Sequence, residues 1–207
     1  MSFLDLVRGG GFAMYPLVIF SILIWAIAFD RLFFLRSFSK QYKRLYEDSQ
    51  KALASNHYGD LKTIFKNAGP SVSRPHEILI EGNQTDMAPV SDRIHRRLTE
   101  TQGELKKNIW IIGTIATSAP FVGLFGTVLG IMESFKAIGA SGKSGFSIVA
   151  VGISESLIAT AAGIFVAVLA VIFYNYLQTK INQINLDFKN KLEDIAELIF
   201  ATNKSGK

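Results

Sequence analysis

Three polar side chains inside long apolar stretches are the residues of this sequence that best suit chemistry. Thr127 lies in one apolar stretch, and Glu155 and Thr160 lie in the next. An ionised carboxyl at the centre of a bilayer costs about 2.5 to 3.5 kcal/mol, so an acid there is a candidate for proton handling or partner contact. The alternatives are a purely structural hydrogen bond for Glu155 and, for each threonine, a bond to its own helix.

A nucleotide-binding loop is a second chemical possibility. Residues 137–145, AIGASGKSG, fit the relaxed phosphate-loop pattern through Ala137, Gly142, Lys143 and Ser144. Such a loop follows a strand and holds a nucleotide at the amino end of the next helix. Here the preceding residues end an apolar helix, and the segment is expected outside the cytoplasm. We therefore interpret it as a turn between two membrane helices that binds no nucleotide.

Three apolar stretches must position these residues. The chain has 207 residues, of which 49% are hydrophobic and 16 are phenylalanine. A bilayer core of about 30 Å needs about 20 apolar helical residues, and we predict transmembrane helices at residues 12–35, 109–135 and 146–177. Residues 26–28 resemble a signal-peptide cleavage site, but the apolar run continues to Leu35, which favours a retained first helix.

The distribution of basic residues predicts the topology. Lys and Arg cluster after the first span, before the second and after the third, and the positive-inside rule places all three clusters in the cytoplasm. We expect an extracytoplasmic segment at 1–11, a cytoplasmic helical loop at 36–108, an extracytoplasmic turn at 136–145 and a cytoplasmic C-terminal helix and tail at 178–207. The predicted fold is an all-α integral membrane protein with three transmembrane helices, a helical cytoplasmic domain and long helices extending into the cytoplasm.

Charge and composition argue against several other classes. The net charge of +5 arises from mixed acidic and basic residues, so we expect no nucleic-acid binding. The chain has no cysteine, and its three histidines, His57, His76 and His95, lie in a polar stretch and lack metal-ligand spacing. We therefore expect surface histidines and no metal site. The cytoplasmic loop contains no catalytic triad, paired carboxylates or glycine fingerprint. We expect no enzyme activity and no cofactor.

Small residues form one stripe on each helix of the predicted hairpin. Because helices in lipid associate through small residues and polar groups, helix packing and partner contact are expected at Gly123, Gly126, Gly130 and Ser134 of the second span and at Gly152, Ser156, Gly163 and Ala167 of the third. Tight packing alone is the simpler interpretation of the glycines. Pro120 should kink or loosen the second helix because it removes a helical hydrogen bond.

Helix register predicts which residues of the hairpin face each other. If the two helices pair antiparallel about residues 143 and 144, facing residues have numbers that sum to about 287, as those of Thr127 and Thr160 do. We therefore predict two hydroxyls at one level inside the membrane. Glu155 lies about 140° from Thr160 around the helix, which predicts a separate location such as a contact between subunits.

The segments outside the spans have apolar faces that predict helix packing. The loop should form a small helical bundle with breaks near residues 56–60, at 67–75 and at 82–89. The third span should continue as an amphipathic helix, because apolar residues recur at steps of three and four. These residues are Leu177, Ile181, Ile184, Phe188, Leu192, Ile195 and Leu198.

Two motifs carry a family resemblance. SAPFVGLFGTVLGIMESF at 118–135 and GISESLIATAAGIFVAVLAVIFYN at 152–175 resemble the paired signatures of the ExbB/TolQ/MotA proton-channel family. The spacing of Thr127, Glu155 and Thr160 is most similar to ExbB and TolQ, and the three-span order extends the resemblance over most of the chain. MotA-like members have a fourth span. Leu169 departs from the usual ExbB/TolQ pattern, which has proline there.

The resemblance implies a function and partners. It implies a homopentamer in the bacterial inner membrane around an ExbD/TolR-like single-span partner, whose intramembrane aspartate carries the proton. Thr127 and Thr160 would line the lumen near that aspartate, and Glu155 would match the family glutamate. Proton flow would rotate the inner helices and energise a TonB- or TolA-like transducer. A non-conducting membrane scaffold is the alternative from another class, and an ATP-driven enzyme is a third.

Overall fold

The computed structural model describes residues 10–55, 57–80, 87–141 and 146–205. Throughout these residues the regular structure is α-helical, which confirms the predicted fold class. The predicted phosphate-loop residues Gly142, Lys143 and Ser144 lie outside the described residues, as do positions 1–9 of the N-terminal segment. The helices are α1 (Met14–Ala54), α2 (Tyr58–Asn67), α3 (Pro70–Glu77), α4 (Met87–Leu105), α5 (Ile109–Ser141) and α6 (Phe146–Ser205).

Three of these helices are long and apolar enough to cross a membrane, as the sequence predicts. They are α1, the Ile109–Gly139 part of α5 and the Gly152–Ala201 part of α6. Each helix extends beyond the apolar stretch that predicted it, and α6 continues to Ser205 as one helix of 60 residues. The exact limits of the membrane-embedded segments remain the sequence-based prediction.

The chain divides into two compact units, and the first contains the apolar helices. It comprises Met1–Phe29 and Asn108–Leu177. Its described interior consists mainly of aliphatic and small side chains. Nearer the surface, the rings of Trp25 and Phe173 meet edge to face at 5.0 Å. Large apolar side chains such as Phe121 and Phe125 are exposed, as expected for a surface whose solvent is hydrocarbon.

The second unit has an aromatic core. It comprises Asp30–Lys107 and Gln178–Lys207, so it includes the helical region that the sequence predicts between the first two spans. The ring of Phe188 lies 5.2 Å from Phe38, 5.6 Å from Tyr42 and 5.6 Å from His76. Helix α3 packs against α2 and α4. Of the apolar side chains that the sequence offers for packing here, Leu45, Leu53, Leu61 and Phe65 are buried and Ile64 is half-buried.

Two details of the second unit differ from the sequence-based expectation. Leu198 is 44% exposed, whereas its neighbour Ile199 is 6% exposed; the step of four from Ile195 keeps Ile199 on the buried face. The expected break at 67–75 is limited to two residues, because α3 begins at Pro70 and continues through Pro75. Proline is favoured in a first helical turn, where the missing amide donor has no helical acceptor.

Candidate functional site

Helices α5 and α6 approach each other at glycines. A Cβ atom added to Gly123 would lie 2.7 Å from the carbonyl oxygen of Ala159, and one added to Gly163 would lie 2.7 Å from that of Ala119. Both distances are shorter than real Cβ contacts allow. The two backbones therefore touch directly here, which a larger residue at either position would prevent.

The other small residues of the predicted stripes also meet across the hairpin. A Cβ atom on Gly130 would lie 2.5 Å from the Cβ of Ser156, and one on Gly152 would contact the side chain of Ser134. Gly126 faces the methyl groups of Ala13 and Ala159. Together with Gly123 and Gly163, these contacts form a seam of small residues between α5 and α6, and Ala167 is buried in the same unit.

Thr127 and Thr160 lie opposite each other in this seam. Their hydroxyl groups are hydrogen-bonded to each other. The Oγ1 of Thr127 is also 3.1 Å from the carbonyl oxygen of Ser156, and the Oγ1 of Thr160 is 3.2 Å from that of Gly123. The antiparallel register that the sequence predicts for this pair is therefore confirmed.

Other threonines of α5 show a different arrangement. Thr114 donates to the carbonyl of Trp110 at 3.0 Å, and Thr117 donates to that of Gly113 at 3.4 Å. Such bonds within one helix are the ordinary state of a threonine in a membrane helix. Thr160 instead donates across the seam, so its hydroxyl links two helices.

The hydroxyl pair has more acceptors than protons. Each hydroxyl supplies one donor and two acceptor lone pairs, while Thr127 has the carbonyls of Ser156 and Gly123 as well as Thr160 within reach. Either threonine is therefore able to donate to the other, with the second hydroxyl donating to a carbonyl. The hydrogen bond between the two hydroxyls therefore reverses its direction when two O–H bonds rotate, without movement of a heavy atom.

Glu155 lies apart from the hydroxyl pair, as its position around the helix predicts. Its side chain is exposed and lines a cavity of about 420 Å³ in the first unit. The cavity is bounded by α5, α6 and the residues that lead into α1, including Gly11 and Ala13. A second acid, Glu133 of α5, lines the same cavity. The sequence reasoning missed it, although the residue numbers of Glu133 and Glu155 sum to nearly the 287 expected for facing residues of the hairpin.

Pro120 lies inside α5, which remains helical on both sides of it. The predicted kink there stays a prediction. Within the described parts of the chain, His, Asp and Glu side chains do not gather into a group of three or more that would hold a metal ion.

In the second unit the buried Tyr42 is paired with the half-exposed Asp187. The Oη of Tyr42 donates to Asp187 at 2.5 Å, and burial together with this bond raises the pKa of Tyr42 to about 12. Burial alone would raise the pKa of Asp187, but the bond from Tyr42 and the ammonium of Lys191 outweigh burial and lower it. This pair joins α1 to α6.

His76 is a further titratable group of this unit, and its expected position at the surface is wrong. It is 2% exposed, and its ring lies 5.3 Å from that of Phe65. Its Nδ1 is 2.8 Å from the carbonyl oxygen of Val72. Burial lowers the pKa of His76 to about 4, despite the opposing effect of this bond, so the imidazole is neutral at physiological pH.

Comparisons with known proteins agree with the architecture of the hairpin. The profile of the MotA/TolQ/ExbB proton channel family matches residues 64–190. The chain is 27% identical to the Tol-Pal system protein TolQ of Haemophilus influenzae, over 96% of this chain and 94% of that protein. It is 29% identical to the biopolymer transport protein ExbB of Salmonella typhimurium, over 88% of this chain and 77% of that protein.

A shorter match has a higher identity. The biopolymer transport protein ExbB of Aquifex aeolicus is 42% identical over 90 residues, which cover 44% of this chain and 61% of that protein. The relatives and the three apolar helices together identify a protein of the inner membrane, of the ExbB/TolQ type. The chain belongs to the MotA/TolQ/ExbB proton channel family.

Proposed function

We propose that this chain is the ExbB/TolQ-like subunit of a proton-driven motor. With an ExbD/TolR-like single-span partner it forms a proton channel that uses the proton motive force to energise a TonB- or TolA-like transducer. The observation that carries this proposal is the bond between Thr127 and Thr160 across the small-residue seam. The pair lies within two helices that are apolar enough to span a membrane.

The hydroxyl pair fits the needs of proton transfer. When a proton passes along a row of hydrogen-bonded groups, donor and acceptor exchange roles in every hydrogen bond. The O–H groups must then rotate back before the next proton can pass. Thr127 and Thr160 have carbonyl acceptors that support both directions. We propose that these hydroxyls hold water beside the partner's intramembrane aspartate and pass protons to and from its carboxyl group.

The family resemblance and the surface of the first unit support the assembly that we propose. Five copies would surround two partner helices, with Thr127 and Thr160 facing the lumen. The positive-inside rule supports a periplasmic N-terminus and a cytoplasmic C-terminus. Exposed apolar side chains such as Phe121, Phe125 and Phe165 would then contact lipid or neighbouring subunits.

Removing one hydroxyl at a time tests the proposal. Valine is close to threonine in shape and compatible with a membrane helix, so the hydroxyl is the main loss. We expect Thr127→Val and Thr160→Val each to lower proton flux by about tenfold or more, since a positioned proton-transfer group typically contributes about 10²- to 10⁴-fold. Thr117→Val is the matched control, because Thr117 bonds only within α5 among its described contacts.

The measurement is proton flux into vesicles that contain the chain with its copurified partner, alongside the mass of the complex. The complex should keep its mass in every variant, and the double variant should be little worse than either single one, since groups in one relay are not additive. Normal flux in both single variants would contradict the role of the hydroxyl pair. An intact wild-type complex without flux would instead favour the scaffold.

A further inference from the structure

Glu133 shares the cavity of the first unit with Glu155. The cavity has a volume of about 420 Å³, and five of its lining positions are glycine. Those residues are Gly10, Gly11, Gly126, Gly130 and Gly152. The cavity therefore lies between three different chain segments, and it is large enough to hold several water molecules beside two carboxyl groups.

Helix register places both acids at one level of the hairpin. Glu133 lies six residues beyond Thr127 on α5, and Glu155 lies five residues before Thr160 on α6. At 1.5 Å per residue, these steps correspond to about 9 Å and about 7.5 Å along the helix axes. Both steps run toward the connection between α5 and α6, so the acids lie on the same side of the hydroxyl pair.

Helix rotation brings the two carboxyls to the same flank. Each residue rotates the side-chain direction by about 100° around the helix axis. Counted toward the connection between the helices, Glu133 lies about 240° around α5 from Thr127, and Glu155 lies about 140° around α6 from Thr160. Both rotations have the same sense, because a right-handed helix is right-handed in either direction. Because the two threonines face each other, these rotations point both acids to one side of the hairpin. Gly126 faces Ala13 on that side, in agreement with the observed cavity.

We infer that Glu133 is a second proton-carrying carboxyl of the channel, which acts with Glu155 between the cavity and the hydroxyl pair. This inference rests on the proposed function. In each transfer the carboxyl O–H bond breaks and its proton forms a bond to a neighbouring water, leaving a carboxylate that accepts the next proton. The acid is regenerated with every proton that passes, and no other reactant is consumed.

Pairs of carboxyl and amide variants test this inference by proton flux in vesicles that contain the complete complex. Glu133→Gln keeps the shape and removes the exchangeable acid, whereas Glu133→Asp keeps the acid. We expect flux to fall about tenfold or more in Glu133→Gln and to stay within about threefold of wild type in Glu133→Asp. Lys136→Gln is the control, because Lys136 is an exposed charge one turn further along α5, outside the described lining of the cavity.

Further variants separate the possible outcomes. The double variant Glu133→Gln, Glu155→Gln should have a proton flux no lower than that of the less active single variant. If the fold-losses of flux in the two single variants instead multiply in the double variant, the two residues act independently and the inference is overturned. Equal losses in Glu133→Gln and Lys136→Gln would also overturn it, since local charge would then be the cause. If the complex does not assemble with Glu133→Gln, Glu133→Asn and Glu133→Asp give the same comparison of amide and acid with a shorter side chain. If neither amide variant assembles, Glu133 has a structural role and the inference is overturned.

The wild-type and threonine measurements distinguish this inference from the proposed function. Wild-type flux that depends on Thr127 but is unchanged in Glu133→Gln would refute the inference alone. A wild-type complex without proton flux would refute the proposed function and the role of Glu133 together.

Discussion

The hydroxyl pair requires the two helix backbones to approach closely at Gly123, and Gly123→Ala is the perturbation that tests this requirement. The added methyl carbon would lie 2.7 Å from the carbonyl oxygen of Ala159 and 3.0 Å from the Cα of Thr160. Both neighbours are backbone atoms, so no side-chain rotation relieves the contact. The two helices must move apart.

The size of that movement follows from ordinary contact distances. Ordinary van der Waals contact begins at 3.4 Å, so α5 and α6 must separate by about 0.7 Å at this level. The bond from Thr160 to the Gly123 carbonyl, now 3.2 Å, would lengthen to about 3.9 Å, which is too long for a hydrogen bond. We expect this change to lower proton flux about tenfold or more although both hydroxyls remain.

Gly139→Ala is the matched control for this experiment. Gly139 lies on the same helix, and no heavy atom of the described structure lies within 4 Å of a Cβ built there. Alanine is favoured over glycine in a helix by about 1 kcal/mol, so Gly139→Ala should keep full flux and raise the melting temperature of the complex slightly. Overpacking at Gly123 costs about 1 to 3 kcal/mol, so Gly123→Ala should lower it.

Flux and thermal stability should be measured on the same vesicle and detergent preparations of the complex. If Gly123→Ala conducts like wild type and melts like Gly139→Ala, the helices tolerate a methyl group at this contact. The reasoning that connects backbone approach to the hydroxyl pair would then be wrong, even if the hydroxyls themselves prove necessary.

Two other groups give separate predictions. Glu155→Ala should abolish energy transfer to the transducer in an activity assay, and Glu155→Gln will show whether ionisation or only hydrogen bonding is needed; full activity of the alanine variant would make Glu155 structural. Because burial lowers the pKa of His76 from 6.5 to about 4, the unfolded chain binds more protons between these values, and stability should fall by about 2 kcal/mol from pH 7 to pH 5. Melting curves at both pH values should show this loss in wild type and a smaller one in His76→Phe, and equal losses would contradict a neutral buried His76.

The sequence alone determined the features that depend on periodicity along one helix. Long apolar runs require helices in a bilayer, because a helix satisfies its own backbone hydrogen bonds. The fixed rotation per residue then relates Thr127 to Thr160 once a short connection makes the helices antiparallel, and the observed bond between them agrees. The same periodicity located the buried face of α6 as far as Ile195.

Only the tertiary structure determined the features that depend on segments distant in sequence. The cavity that joins Glu133 to Glu155 needs the residues around Gly11 as its third wall, and no spacing within α5 or α6 reveals them. Histidine is a polar residue type, yet His76 is enclosed by the aromatic rings of Phe65 from α2 and Phe188 from α6. Burial, and with it the protonation state of a group, is set by neighbours from other parts of the chain, whereas helical register is set by covalent spacing within one helix.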